Sequence, residues 1–532
     1  MKNPASPKSP RNLDKHRFEA GQQCQKRLWL DHHEPVESEP PSSRRAMSVV
    51  GQQLLDLARS VFPKGILIEA KTFAKALATT KEHLAAGDSV LFGACFEHEG
   101  VEARSDILVQ HKDGQIDLYE VKSGVKIKHR YVNDLALQMH VVESAGHKVR
   151  AAFLLHVNAK YVHKEGSDYP PMQLLRSADV TNKVRKQLDQ VRIRLPHFQA
   201  ALADDSVLAL PMGTFCTVPF ACPHLARCTA EGPKLPLREL PELTRTQELE
   251  LHKDGIEDLP SIDPKRPGLS FKQRRTLACL QSGEPITEPF VREELRQCAH
   301  PLHFVALATL TEPLPRFEGQ RPWRHLPYAF ACHTLHRDGR VETTSFAHID
   351  KTDPRPAFIA ALAKHLEIGG TLLCWDKEPL DALRELLDDL PAAKAAIRTV
   401  LGRQQIDLMQ LFDAGVFHPA LRGHQDLVAT AKTLLGKADH PDALGPDAWR
   451  DAVEKASTPR ARSATKEKLA AEIQAGLAWQ TEQLLELFRK YAEVTEIRLK
   501  PPTSEIPTAA KPAPKPLPKP LPKPLPKPLP GQ

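Results

Sequence analysis

Asp106, Glu120 and Lys122 are the residues of this sequence whose types and spacing could do the most chemistry. Glu120 and Lys122 lie one residue apart in IDLYEVKSG. On an extended strand, side chains two apart leave the same face. Asp106 stands in the preceding stretch, VEARSDILVQ, and Asp113-Gly114 between the two stretches is a hairpin signal. Paired, the stretches bring the three side chains together. Two carboxylates can hold a hard cation, Mg2+ or Mn2+, through oxygen. Such a cation lowers the pKa of a bound water and neutralises a phosphate. Lys122 can then hold the attacking water and stabilise developing charge. E-x-K on a strand is also a common solvated pattern. Three features separate this one: the strand is otherwise bulky and apolar (Leu118, Tyr119, Val121), Asp106 falls at the expected place, and a helix with Asp134 and Gln138 follows.

A second constellation is made of cysteines. Cys216, Cys222 and Cys228 are evenly spaced in FCTVPFACPHLARC, and Cys24 stands far upstream in GQQCQKRLWL. In a reducing compartment this pattern reads as metal ligation rather than disulfides. Ligation of a 4Fe–4S cluster by four cysteines fits it. Zinc is the alternative, though its usual paired C-x2-C knuckles are missing. The ligands bracket the carboxylate–lysine motif, so a cluster would staple the N-terminal helix to the end of that domain. Cys95, Cys279, Cys298, Cys332 and Cys374 read as ordinary apolar-flanked thiols, and His224 as a surface residue.

The elements that must position these residues alternate between helix and strand periods. A helix is expected over 18–30 and an amphipathic one over 51–62, with Leu54, Leu57, Ala58 and Val61 on one face. Three strands follow, then a helix over 133–145 and the apolar strand AAFLLHV at 151–157. Residues 182–204 read as a further helix. Residues 234–300 are polar, helical and broken by prolines, and LHKDGIEDLPSI within them faintly resembles a helix–hairpin–helix loop. A second α/β region has strands at 303–310, 328–335, 341–349 and 370–375, helices at 355–366 and 378–389, and a closing helix at 465–493. The expected division is 1–15 disordered, 16–233 first domain, 234–300 connector, 301–495 second domain and 496–532 disordered tail.

An Asp, then E-x-K, then a helix with Gln resembles the RecB branch of the PD-(D/E)xK nucleases. The resemblance implies metal and catalytic roles for Asp106, Glu120 and Lys122, and a site role for Gln138. That branch often has tyrosine where this chain has Val142, and a first-helix histidine where it has Gln52, Gln53 and Asp56. The cysteine layout is similar to nucleases with an iron–sulfur staple. With LPRFEGQRPWRHLPYAF, DPRPAF and QQIDLMQLF, residues 18–415 resemble a bacterial family that fuses such a nuclease to a ribonuclease-H-like domain of the DEDD exonuclease type. The register from PRFEG puts Ala306 and Ala308 where that type carries Asp and Glu, and Gln480 near a further Asp. Asp376 and Asp407 remain, on separate elements. The second domain is therefore expected to be non-catalytic.

The chain has 532 residues and a formal charge of +7. Five lysines against one glutamate give residues 501–532 a charge of +4 and leave the rest at +3, so charge alone does not demand nucleic acid. There is no apolar run of about 18 residues and no apolar N-terminal stretch, so a cytoplasmic protein without a membrane span is expected. The repeat KPLPKPLP should be polyproline II, either a spacer or a ligand for a protein that reads proline. The expected function is metal-dependent hydrolysis of DNA, ahead of RNA, in repair, recombination or defence. The alternative is a non-catalytic nucleic-acid-binding scaffold.

Overall fold

The computed structural model describes residues 12–36, 42–164, 166, 168–421, 426–436, 446–456, 458 and 462–492. The architecture is mixed α/β with two main sheets. Residues 1–11 and the proline-rich tail at 496–532 lie outside the described residues.

The first sheet has six strands in sequence order: β1 (Ile66–Leu67), β2 (Val90–His98), β3 (Val101–Gln110), β4 (Ile116–Lys122), β5 (Val149–Val157) and β6 (Leu175–Asp179). β3 and β4 form the expected hairpin, and Gly114 takes the left-handed φ of +79° in its turn. β4 and β5 run parallel, which needs a crossover. The helix His129–Ser144 supplies it. The sheet buries both faces. Leu108, Leu118, Leu135 and Met139 pack together on one. Tyr119 and Val121 pack with Leu54 and Leu314 on the other.

The N-terminal end differs from expectation. Leu13 is wholly buried. Its N–H donates to the Gly100 carbonyl at 2.8 Å, and its carbonyl accepts from Glu102 at 2.9 Å. Asn12–Lys15 are therefore ordered: one apolar residue in a polar stretch supplies the anchor. Asp14 then caps helix α1 (Lys15–Gln23) by accepting from the Arg17 N–H, a cap worth about 1 kcal/mol. The expected helix over 18–30 is two, α1 and α2 (Gln25–His33), broken at Cys24, whose backbone is extended. Helix α3 (Ser42–Ser60) matches the amphipathic stretch, and α4 (Phe73–Ala86) is a helix beyond the sequence expectation. The crossover helix is α5 (His129–Ser144).

In the connecting stretch, helices at Arg245–Lys253 and Phe271–Ser282 share a small apolar cluster, and a further helix spans Pro289–Arg296. The GI loop at 255–256 is followed by a helix only at Phe271, so the helix–hairpin–helix expectation does not hold. β7 (Ile286–Thr287) belongs to a small two-stranded sheet. The second main sheet has order β10-β9-β8-β11-β12, with β8 (Leu302–Thr311), β9 (His325–Leu335), β10 (Val341–Ala347), β11 (Thr371–Cys374) and β12 (Gln404–Asp407). β13 (Val416–Phe417) pairs with β7. The long helix Ser463–Ala492 closes this sheet. Ala306 and Ala308 are buried against Ile473 and Leu477 of that helix and against Trp449. Both sheets belong to one compact unit, Met1–Glu493. Among the described residues, no helix is long and apolar enough to cross a membrane.

Candidate functional site

The last rung of the β3–β4 ladder pairs Ile107 with Tyr119, so Asp106 and Glu120 lie one step beyond it. Strand alternation turns Glu120 and Lys122 to the α5 side. There the Lys122 ammonium donates to Glu120 Oε1 at 2.8 Å and to Asp134 Oδ2 at 2.7 Å. Gln138, one helical turn beyond Asp134, donates its amide to Glu120 Oε2 at 2.8 Å. Asp106 Oδ2 accepts from the Val121 N–H at 2.8 Å. All four residues singled out in the sequence converge. The Gln138 carbonyl oxygen is buried with no hydrogen-bond partner.

Helix α1 adds two residues the sequence does not mark. Lys15 Nζ lies 2.5 Å from Glu120 Oε1 and 3.2 Å from Asp134 Oδ2. Glu19, one turn on, hydrogen-bonds Asp134. Asp56, the sequence candidate for a first-helix ligand, is not at this site. It faces solvent on α3 and pairs with Gln52 and Arg59. Lys15 falls in the stretch read as disordered and Glu19 in the helix expected over 18–30; burial of Leu13 and Phe18 seats both at the site.

The electrostatics record a surplus of carboxylate. Burial, then the Glu120 charge, pushes the Asp106 carboxyl up to about 7. Burial, then Asp134, pushes Glu19 up to about 7. Burial alone would raise Glu120, but Lys15 and Lys122 hold it well below the usual carboxylate range. Burial alone would lower the Lys15 ammonium, but Glu120 and Asp134 hold it well above its ordinary value. Four carboxylates face two ammonium groups. Beside them a cavity of about 650 Å3 opens between α1, α3 and the end of β4, lined by Glu19, Lys122, Arg130, Tyr131 and Phe220 among others.

The four cysteines gather at the C-terminal end of α1. Cys24 occupies the α1–α2 break, and the adjacent Gln23 amide donates to the carbonyls of Phe215 and Phe220, both at 2.7 Å. The Cys222 N–H donates to the Cys216 carbonyl at 2.8 Å. Cys228 lies on the helix Leu225–Glu231. Burial pushes the Cys24, Cys216 and Cys222 thiols up, and charge on neighbouring cysteines of the set adds to this in each case. His224 is buried, not on the surface: its Nε2 lies 2.7 Å from Asp31 Oδ1.

A further group lies between the second sheet and the helix Arg355–His365. Among the described residues, His303, Cys332 and His365 place their ligand atoms within 4.8 Å of one another and could hold a metal ion. The Thr334 hydroxyl stands among them, 3.0 Å from His303 Nδ1 and 2.9 Å from His365 Nε2. In the sequence Cys332 reads as an ordinary thiol, because nothing there shows that His303 lies opposite Thr334 in the β8–β9 register. Asp376 and Asp407, the carboxylates remaining in this half, accept backbone N–H groups at helix starts.

Residues 303–425 match a family described as a domain of unknown function, DUF2779. No curated protein matches the chain.

Proposed function

We propose that the first sheet carries a divalent-metal-dependent nuclease site of the PD-(D/E)xK kind, hydrolysing phosphodiesters of DNA in repair, recombination or defence. The second sheet, in this reading, is a non-catalytic ribonuclease-H-like module. The observation that carries the reading is the convergence of Asp106, Glu120, Lys122 and Gln138, from three elements, beside a cavity.

The residues fit a hard cation, Mg2+ or Mn2+. The donors are oxygens, the carboxylates outnumber the lysines, and a buried amide oxygen of Gln138 has no partner. Asp106 and Glu120 would hold the cation, with Glu19 and Asp134 within reach of the same charge. When bound, the cation would supply a more acidic water and neutralise the phosphate. Lys122, fixed by Glu120 and Asp134, presents a cation toward the attacking water and the developing charge. The Gln138 amide holds Glu120 in place, and Arg130 on the cavity wall offers a charge for a second phosphate.

Cys24, Cys216, Cys222 and Cys228 would hold a 4Fe–4S cluster, with zinc as the alternative. The fit lies in a thiol-only set, in its mutual electrostatic reach, and in an α1–α2 break that turns Cys24 toward the other three. Such a staple would fix α1, and with it Lys15 and Glu19.

A binding scaffold without cleavage is the second reading, favoured by Lys15 seated on Glu120. Lys122→Ala separates the two on labelled single-stranded DNA, duplex DNA and RNA with Mg2+ or Mn2+. The nuclease reading expects cleavage to be lost and binding kept. Wild-type protein that binds but never cleaves favours the scaffold.

A further inference from the structure

The loop between β8 and β9, which contains PRFEGQRPW, reaches out of the second sheet and seats on the first. The Trp323 indole N–H donates to the Ser123 carbonyl at 2.6 Å. Ser123 follows Lys122 directly in the chain. The Tyr169 hydroxyl donates to the Pro315 carbonyl at 2.8 Å. The His163 N–H donates to the Gln320 carbonyl, and the Gly319 N–H to the His163 carbonyl, both at 3.0 Å. Leu314 is buried in the apolar cluster that holds Tyr119 and Val121 of β4.

The loop is stiff from its own side. Arg316 makes two 2.5 Å bonds to Glu312, and Arg450 adds a third contact to that carboxylate. Arg321 and Arg324 both bond the buried Asp389. Trp323 itself sits at φ +63°, a left-handed conformation that a bulky residue adopts only where its surroundings impose it. Its own N–H donates to the Glu312 carbonyl at 2.7 Å.

We propose that this loop is a clamp on the end of β4, and that Trp323 is a positioning residue for Lys122. The proposal rests on the nuclease reading for its catalytic consequence, but its structural half does not. The backbone is thereby fixed on both sides of Lys122: Asp106 of β3 bonds the Val121 N–H before it, and the clamp's Trp323 bonds the Ser123 carbonyl after it. The second sheet would then serve the first by aligning its lysine.

The test uses the full chain with Trp323→Phe, which keeps a ring and removes the N–H. Tyr169→Phe is the control, because it removes a bond across the same contact away from Ser123. Hydrogen exchange is followed at 119–125 and, for reference, at 149–157. The clamp predicts at least tenfold faster exchange at 119–125 in Trp323→Phe alone, with 149–157 unchanged. Equal exchange in wild type and Trp323→Phe, or the same rise in both variants, overturns it. In cleavage assays Trp323→Phe should lower kcat about tenfold with KM for DNA within twofold. An unchanged kcat, or a loss confined to KM, overturns the positioning role. If wild-type protein does not cleave, the nuclease reading fails, and the exchange experiment still decides the clamp.

Discussion

On β4 the α5 side of the strand carries Glu120 and Lys122. On β8 the corresponding stretch of strand carries Ala306 and Ala308, packed on Ile473, Leu477 and Trp449. The two strands sit in similar surroundings, each in the interior of a mixed sheet with a helix against it. The first buries charge that only part of the cluster answers: Glu120 meets two lysines and an amide and Asp134 two lysines, whereas the carboxyls of Asp106 and Glu19 are raised to about 7. Such a cluster is costly unless every member is paired. The second sheet has no such cost at the same place, because methyl groups need no partners. The contrast teaches that an interior strand lined by methyl groups packs without further help, whereas one that carries buried carboxylates also needs residues that satisfy them.

The largest expected difference between the two sheets is in cleavage. Asp106→Ala should slow it on the order of 100- to 1000-fold. Asp407→Ala, in the second sheet, should leave cleavage within twofold and cost about 1 kcal/mol of stability from a lost helix cap, read by denaturant unfolding. Equal losses of cleavage would break the comparison.

Stability should come next. Cys222→Ser should release bound iron, abolish brown colour in anaerobically purified protein, and lower stability by about 3–5 kcal/mol, the scale of a crosslink closing a long loop. Retained metal that proves to be zinc would replace the cluster with its alternative. A pH effect of intermediate size follows from the raised carboxyls. Asp106 and Glu19 are raised to about 7, so without metal they keep their protons below that pH, and a cation must displace them. Affinity for Mn2+ should therefore climb from pH 6 to 8, by up to about tenfold per unit for each proton released, in calorimetric titrations. In the metal-free chain the sign is opposite for stability: both carboxyls are raised from ordinary values near 4, so their contribution is fully present below about pH 4, falls as pH rises and is gone above about pH 7. Asp106→Asn should flatten both slopes. The smallest effect is expected from Ala308→Ser, at about 1 kcal/mol of stability for a buried hydroxyl, with cleavage unchanged.

Much of this arrangement is legible in the sequence where it depends on local pattern. The Asp113-Gly114 turn gives the β3–β4 hairpin, period-two alternation puts Glu120 and Lys122 on one side, and the next helix brings Gln138 to them. What is not legible depends on long-range contacts. Lys15 sits in a polar segment whose order depends on Leu13 meeting β3, and Glu19, on an expected helix, reaches the site only because that helix is seated there. The extended backbone at Cys24 interrupts a stretch whose helical period runs straight through. Trp323 reaches Ser123 across 200 residues of chain. Asp56 shows the reverse error: it has the right residue type on a real amphipathic helix, but on the face turned away from the site.

The most direct test of the central claim is a paired cleavage assay. Anaerobically purified protein and its Glu120→Ala variant would be incubated with labelled single-stranded and duplex DNA, with Mg2+ or Mn2+ and with chelator. Metal-dependent cleavage by the wild type, lost in the variant while DNA binding is kept, is the expected result. Cleavage that survives Glu120→Ala would contradict it and move the active centre away from β4.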